Sequence, residues 1–323
     1  MHKYMEGNMK VTLVVPCYNE EKNVGLFYQV TDAAFTNKKY GYEIVFVNDG
    51  SKDNTYQELK SLFKAHPDKV SVVNLSRNFG KEAAILAGLK RASGDYIALV
   101  DADLQQRPEI VVDMVNYLEE HEEYDVVAAY QEHRIEGKLM SGVKKLFYTL
   151  INKVCDIEFY AGASDFRTFR RTVAEALINM PEYHRFSKGL FSWIGFNTHY
   201  LPYVAEERNA GETKWSVKKL IKYAMEGFMS FTTMPLRFAT YLGMLVSVCA
   251  VLYMVFVIIK TLIFGETVPG YPTIVTLILF LSGVQLLILG ILGEYLARIY
   301  VQGKGRPVYI EKEFLHGKEE TEE

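Results

Sequence analysis

Cysteine is scarce in this chain and badly placed for its usual structural uses. Cys17, Cys155 and Cys249 are the 3 cysteines in 323 residues. An odd number without metal-ligand spacing excludes a disulfide framework and a zinc site, and suits a reducing compartment for the polar part. The net charge is −3 and no long basic stripe occurs, which argues against nucleic acid as a partner. No Gly-x-Gly-x-x-Gly follows the first apolar run and no Walker-type loop is present, which argues against a dinucleotide enzyme or an NTPase. Residues 1–9 lack an apolar core and read as a flexible lead, with Met9 as an alternative start, not as a signal peptide.

Charge is missing altogether from two stretches. Phe238–Ile259 and Thr267–Gly293 hold no Asp, Glu, Lys or Arg, and each provides the roughly 20 apolar residues that crossing a bilayer requires. Neither shows a polar stripe at helical period. Residues 236–298 therefore read as two spans, about 238–260 and 273–296, joined by the turn-rich segment Gly265–Pro272. Arg237 precedes the first span, while Arg298, Lys304 and Arg306 follow the second. That bias predicts a cytoplasmic-membrane protein with both termini and the polar domain in the cytoplasm. Residues 215–235 form a juxtamembrane segment in which Leu220, Ile221, Ala224, Met225 and Phe228 recur at helical spacing beside Lys218, Lys219 and Lys222. Such a helix lies either in the headgroup plane or on the soluble domain.

The remainder, residues 10–214, alternates strands with helices. Strands are predicted at Val11–Val15, Glu43–Val47, Val70–Leu75, Tyr96–Val100 and Asp125–Ala129, with helices at Glu21–Ala34, Lys81–Ala92 and Glu109–Glu119. This order specifies an α/β domain with a mostly parallel sheet, whose ligands sit beyond the carboxyl ends of the strands. Pro16, Tyr18 and Glu20 follow the first strand, Asp49 the second, and Asp101-Ala102-Asp103 the fourth. Two carboxylates one residue apart at a strand end suit a hard divalent ion held against a phosphate. Residues 299–323 supply a C-terminal strand near Arg306–Ile310, expected to pair with a neighbouring copy's sheet edge, and an acidic tail.

Four blocks in order, Val15-Pro16-Cys17-Tyr18-Asn19-Glu20-Glu21, Val47-Asn48-Asp49-Gly50-Ser51, Leu75-Ser76-Arg77-Asn78-Phe79-Gly80-Lys81-Glu82 and Asp101-Ala102-Asp103-Leu104-Gln105, resemble the inverting A-type glycosyltransferases that charge a polyprenyl phosphate. Dolichol-phosphate mannose synthases belong there, as do bacterial undecaprenyl-phosphate glycosyltransferases, whose two-span hairpin this chain resembles. The resemblance implies an A-type, Rossmann-like fold and a sugar, glucose or N-acetylglucosamine, moved from a UDP-sugar to undecaprenyl phosphate. It assigns Pro16, Tyr18, Glu20, Val47, Asp49, Lys81, Asp101 and Ala102 to the nucleotide, and Asp101, Asp103 and Gln105 to Mg²⁺ or Mn²⁺. Arg208 and Lys214 would clamp phosphates, Asp103 and Asp165 would act at the reacting centre, and Arg134 and Arg167 would meet the acceptor phosphate. Lys144, Lys145 and Arg185 are further acceptor candidates. Two positions depart from the pattern: Gln131 stands where members carry Arg, and Ala161-Gly162-Ala163-Ser164 stands where they carry Asn-Ala-Gly or Asn-Thr-Gly.

A homo-oligomer, a tetramer by resemblance, and a downstream flippase and membrane glycosyltransferase complete the expected partners. Processive synthases of the same fold carry a Gln-x-x-Arg-Trp block, which is absent here. The alternatives are a mannose synthase-like enzyme using GDP-mannose and a noncatalytic membrane scaffold.

Overall fold

A computed structural model describes residues 9–131, 163–203, 232–264 and 270–317. The chain divides into two compact units, one holding the sheet together with the segment from Pro307 onward, the other holding the two long helices.

The sheet unit alternates as its sequence predicts, with β1 Lys10–Cys17, α1 Val24–Phe35, β2 Gly41–Asn48, α2 Thr55–Ala65, β3 Val70–Leu75, α3 Lys81–Arg91, β4 Tyr96–Leu99, α4 Pro108–Glu120 and β5 Val126–Gln131. After them come β6 Ala163–Arg170, α5 Arg171–Ile178, α6 Ser187–Trp193, β7 Thr198–Tyr203 and, near the C-terminus, β8 Glu311–Leu315. Together they form an 8-stranded sheet in the order β7-β5-β6-β4-β1-β2-β3-β8. The β1–β2, β1–β4, β2–β3 and β5–β7 pairs are parallel. Only β6 and β8 run against the rest. Residues on both faces of β1 to β4 are buried, as continuous apolar runs in a parallel sheet require. One face packs Val11, Leu13, Val15, Ile44 and Phe46 with Phe27, Leu59 and Met114 from the helices. The other packs Val45, Val47, Val73 and Leu75 against Ala84 and Ala87 of α3. There α3 lies so close that a Cβ on Gly88 would come within 2.3 Å of Val14 Cγ1.

Two elements depart from expectation. β6 carries Ser164–Arg167, whose residues read from sequence as a motif and not as a strand; it inserts between β4 and β5 as a central antiparallel strand. The C-terminal strand starts at Glu311, later than the predicted Arg306–Ile310, and it covers this chain's own β3 edge, with Val72 opposite Leu315 and Val73 opposite Phe314. It is held there by ion pairs of Arg91 with Glu311 and Lys60 with Glu313, and by Tyr56 donating to Glu313. A complementary edge within the same chain satisfies the strand's backbone groups and removes an aggregation-prone border.

In the second unit, α7 Met234–Phe264 and α8 Tyr271–Gly303 span 31 and 33 residues, longer at both ends than the predicted segments. Both are long and apolar enough to cross a membrane. Pro235 and Pro272 stand in the first turns, where their missing N–H costs nothing. Tyr295 donates to the Thr232 carbonyl at 2.8 Å, and a Cβ on Gly243 would lie 3.6 Å from Ile288 Cδ1. Early residues of one helix thus meet late residues of the other, which makes the pair an antiparallel hairpin. Leu252, Leu262, Leu279 and Leu286 are exposed on it, as lipid-facing residues are. The predicted juxtamembrane helix and residues 318–323 lie outside the described residues.

Candidate active site

The parallel strands bring their carboxyl ends to one edge, and β6, because it runs the other way, starts at that edge. Asp165, at the start of β6, therefore meets Asp101, just past the end of β4. Lys81, the first residue of α3, lies between them, its Nζ 2.7 Å from Asp101 Oδ1 and 3.1 Å from Asp165 Oδ2. Pro16, Ile85, Leu99, Val100 and Gln106 line the same small crevice.

Each carboxylate is set by its own local structure. Gln106, buried, accepts the Asp101 N–H at 3.1 Å and donates to Ser164 Oγ at 3.4 Å, tying the end of β4 to the start of β6. Asp103 Oδ1 accepts the Gln105 N–H at 3.2 Å across a tight turn, in which Leu104 takes the left-handed φ of 57°. Such backbone is sparsely populated for a branched residue and persists only where the surroundings over-determine it. Asp165 Oδ1 is buried with no hydrogen-bond partner among the described residues. Burial pushes the Asp165 carboxyl up, but the charges of Lys81, Lys188 and Arg167 outweigh it and hold the pKa at about 2. Burial disfavours the Lys81 ammonium, yet Asp101 and Asp165 prevail and raise its pKa.

The loops after β1, β2 and β3 are laced together. Asn19 (φ 58°) donates its N–H to Ser51 Oγ at 3.0 Å, and the Glu20 N–H donates to Thr55 Oγ1 at 2.8 Å. Asp49 accepts the N–H groups of Phe79 and Gly80 at 2.7 and 2.9 Å, fixing the turn that launches Lys81. Burial raises the Asp49 pKa against those two bonds. Gly50, at φ 61°, approaches Arg77 and Asn78 so closely that a Cβ would lie 2.4 Å from their backbone atoms. Tyr18 is exposed at this edge and Glu20 half-buried.

Three expected roles change. Val47 is 0% exposed and packs with Val73 and Leu75, so it is a core residue and offers no surface to a base. Arg167 is buried with its guanidinium 4.1 Å from the Phe191 ring and donating to the Ser164 carbonyl at 2.8 Å. It braces the Asp165 turn instead of reaching an acceptor phosphate. Arg185 donates to the Leu177 and Met180 carbonyls, closing the end of α5. Arg134, Lys144, Lys145, Arg208 and Lys214 lie outside the described residues. Sequence reasoning missed Gln106 and the anchor of α6, where half-buried Glu82 accepts from the N–H and hydroxyl of buried Ser187. Neither has a local sequence signal: Gln106 meets Asp101 across a turn, and Glu82 finds Ser187 105 residues on.

Among the described residues no group of three His, Cys, Asp or Glu side chains could hold a metal. Asp101 and Asp103 nevertheless fit Mg²⁺ or Mn²⁺, which accept one or two carboxylates and fill the shell with substrate phosphates. Asp101 Oδ1 faces the Lys81 ammonium at 2.7 Å.

Comparison with known proteins agrees with this architecture. Residues 12–178 match glycosyl transferase family 2, and residues 234–299 match the GtrB C-terminal hairpin. The prophage bactoprenol glucosyl transferase homolog of Escherichia coli (strain K12) is 41% identical over 304 residues, covering 94% of this chain and 99% of that protein. The bactoprenol glucosyl transferase of Shigella phage SfII is 41% identical over 309 residues, covering 96% and 99%.

Proposed function

The chain belongs to glycosyl transferase family 2, and from that premise we propose that it moves one sugar from a uridine-diphosphate donor to the phosphate of undecaprenol or a similar polyprenol, with inversion at the anomeric carbon. Glucose is the first choice of sugar and N-acetylglucosamine the second. The observation that carries the reading is the joining, in one chain, of a glycosyltransferase sheet with an acidic strand-end cluster to a two-helix apolar hairpin. Relatives named bactoprenol glucosyl transferase align with both parts. A lipid-linked phosphate stays at the bilayer surface, so an enzyme acting on it gains from a membrane anchor. The bias of Arg237, Arg298, Lys304 and Arg306 supports a cytoplasmic position for both ends of the hairpin, on the side where nucleotide sugars are made.

The chemistry needs little proton transfer. A phosphate monoester has a second pKa of about 6 and is already a nucleophilic anion near neutral pH. Asp165, ionised down to about pH 2, is too weak a base to matter as one. As a fixed carboxylate it supports positive charge developing at the sugar and orients Lys81. The demanding step is departure of the nucleoside diphosphate. Asp101 and Asp103 would hold a divalent ion there, which supplies charge neutralisation to the leaving phosphates. Arg208 and Lys214 are assigned to the same phosphates, and Tyr18, Glu20 and Asp49 to the nucleoside.

The test is direct. Full-length protein purified in detergent is given undecaprenyl phosphate with UDP-glucose, UDP-N-acetylglucosamine, UDP-galactose or GDP-mannose, and the lipid is weighed by mass spectrometry. One UDP-sugar adds a single hexose or N-acetylhexosamine; absence of a sugar-bearing lipid from every donor rejects the reading.

A further inference from the structure

Lys81 is held in place from several sides. Asp49 fixes Phe79 and Gly80 immediately before it, and Glu82 immediately after it is bonded to Ser187. Its ammonium bridges two carboxylates from different strands, Asp101 and Asp165. Asp101 is also one of the two acids that fit a divalent ion, so one carboxylate would serve two cations. An ammonium 2.7 Å from Asp101 Oδ1 repels a divalent ion on the same carboxylate, because like charges held close together in a partly desolvated site interact strongly. Asp101, Asp103 and Asp165 lie at this edge, and Lys81 is the lysine that pairs directly with two of them.

We propose that Lys81 is the site's own counter-ion: it competes with the divalent metal for Asp101 and releases that carboxylate only when the metal arrives with the donor's diphosphate. The incoming diphosphate offers the ammonium a new anionic partner, and the flexible stem of lysine lets it swing while α3 stays fixed. Lys81 thereby couples metal binding to donor binding, which keeps the bare enzyme from holding a metal unproductively. The inference rests on the metal-assisted reading above, but its primary readout is metal binding.

The experiment titrates the full-length protein with Mn²⁺, followed by electron paramagnetic resonance, with and without UDP. Without nucleotide, Lys81→Gln binds Mn²⁺ about tenfold tighter than the wild type, and Lys81→Arg, which keeps the charge, stays near the wild type. UDP tightens Mn²⁺ binding at least tenfold in the wild type and much less in Lys81→Gln. Lys81→Met repeats the measurement if the Gln variant does not fold. Equal Mn²⁺ affinity of wild type and charge-removed variants without nucleotide overturns the proposal. Should the Mn²⁺ pattern hold while no sugar reaches the lipid, the reaction reading fails and the lysine inference stands. Sugar transfer by the wild type with no change in Mn²⁺ binding on charge removal fails the lysine inference alone.

Discussion

The two edges of the sheet each hold a carboxylate beside a lysine, and they are built in opposite ways. Toward the amino end, Glu43 accepts from Lys10 Nζ, Thr12 Oγ1, the Ser93 N–H and the Ser93 hydroxyl. Burial alone would raise its pKa, but those donors prevail and lower it. Oε2 takes Lys10 and Oε1 takes Thr12 and Ser93, so Glu43 fastens β2 to β1 and to the turn before β4. At the carboxyl edge, Asp165 has a buried oxygen without a hydrogen-bond partner among the described residues, Leu104 sits at positive φ, and Lys81 is shared between two carboxylates. A network completed by the protein stabilises the fold; one left incomplete is ready to receive a ligand.

Substitutions sharpen this contrast. The largest expected effect is at Asp103: Asp103→Asn keeps the side-chain oxygen that accepts the Gln105 N–H but loses the charge that a metal requires. Transfer to undecaprenyl phosphate falls on the order of 10²–10³-fold, measured by mass spectrometry of the lipid, while the unfolding temperature is unchanged. A thermal shift as large as the activity loss would erase the distinction between the two edges. Glu43→Gln is the mirror case. It weakens hydrogen bonds to a buried charge and costs about 2 kcal/mol of stability, read by chemical denaturation, with kcat for the folded protein unaltered.

The smallest effect is one of pH. The native pKa of Asp165, about 2, is below the roughly 3.9 of an unperturbed Asp. Its contribution to stability is therefore complete above about pH 4 and is lost only as pH falls through about 2. Asp165 stays ionised across the working range, so an acidic limb of kcat/KM near pH 6 belongs to the acceptor phosphate. A phosphonate acceptor, with a higher second pKa, moves that limb upward; a limb indifferent to the acceptor would mean that a protein group titrates there.

Much of the sheet unit was legible because its signals are local. Pro16 ends an apolar run, and Asn48-Asp49-Gly50-Ser51 is turn chemistry between a strand and a helix. Strand-end acids at 49, 101 and 103 follow once strands alternate with helices, since parallel strands share one carboxyl edge. Val47 was misread because a motif position says nothing about which face a strand residue takes. Arg167 was misread for a related reason: a charged residue beside Asp165 looks available until β6 turns its side chain onto Phe191. Pairing of the C-terminal strand with β3 joins residues more than 200 apart in sequence, as in the Arg91–Glu311 pair, and no local pattern encodes such a partner.

By itself, the sequence determined the alternation of elements, the two uncharged stretches and the acids at the strand ends, because these rest on periodicity, turn residues and the cost of placing charge in lipid. Tertiary structure alone decided that β6 runs antiparallel between β4 and β5. That reversal brings Asp165 to Asp101 across Lys81, since only a strand entering from the carboxyl edge can place its first residues where its neighbours place their last.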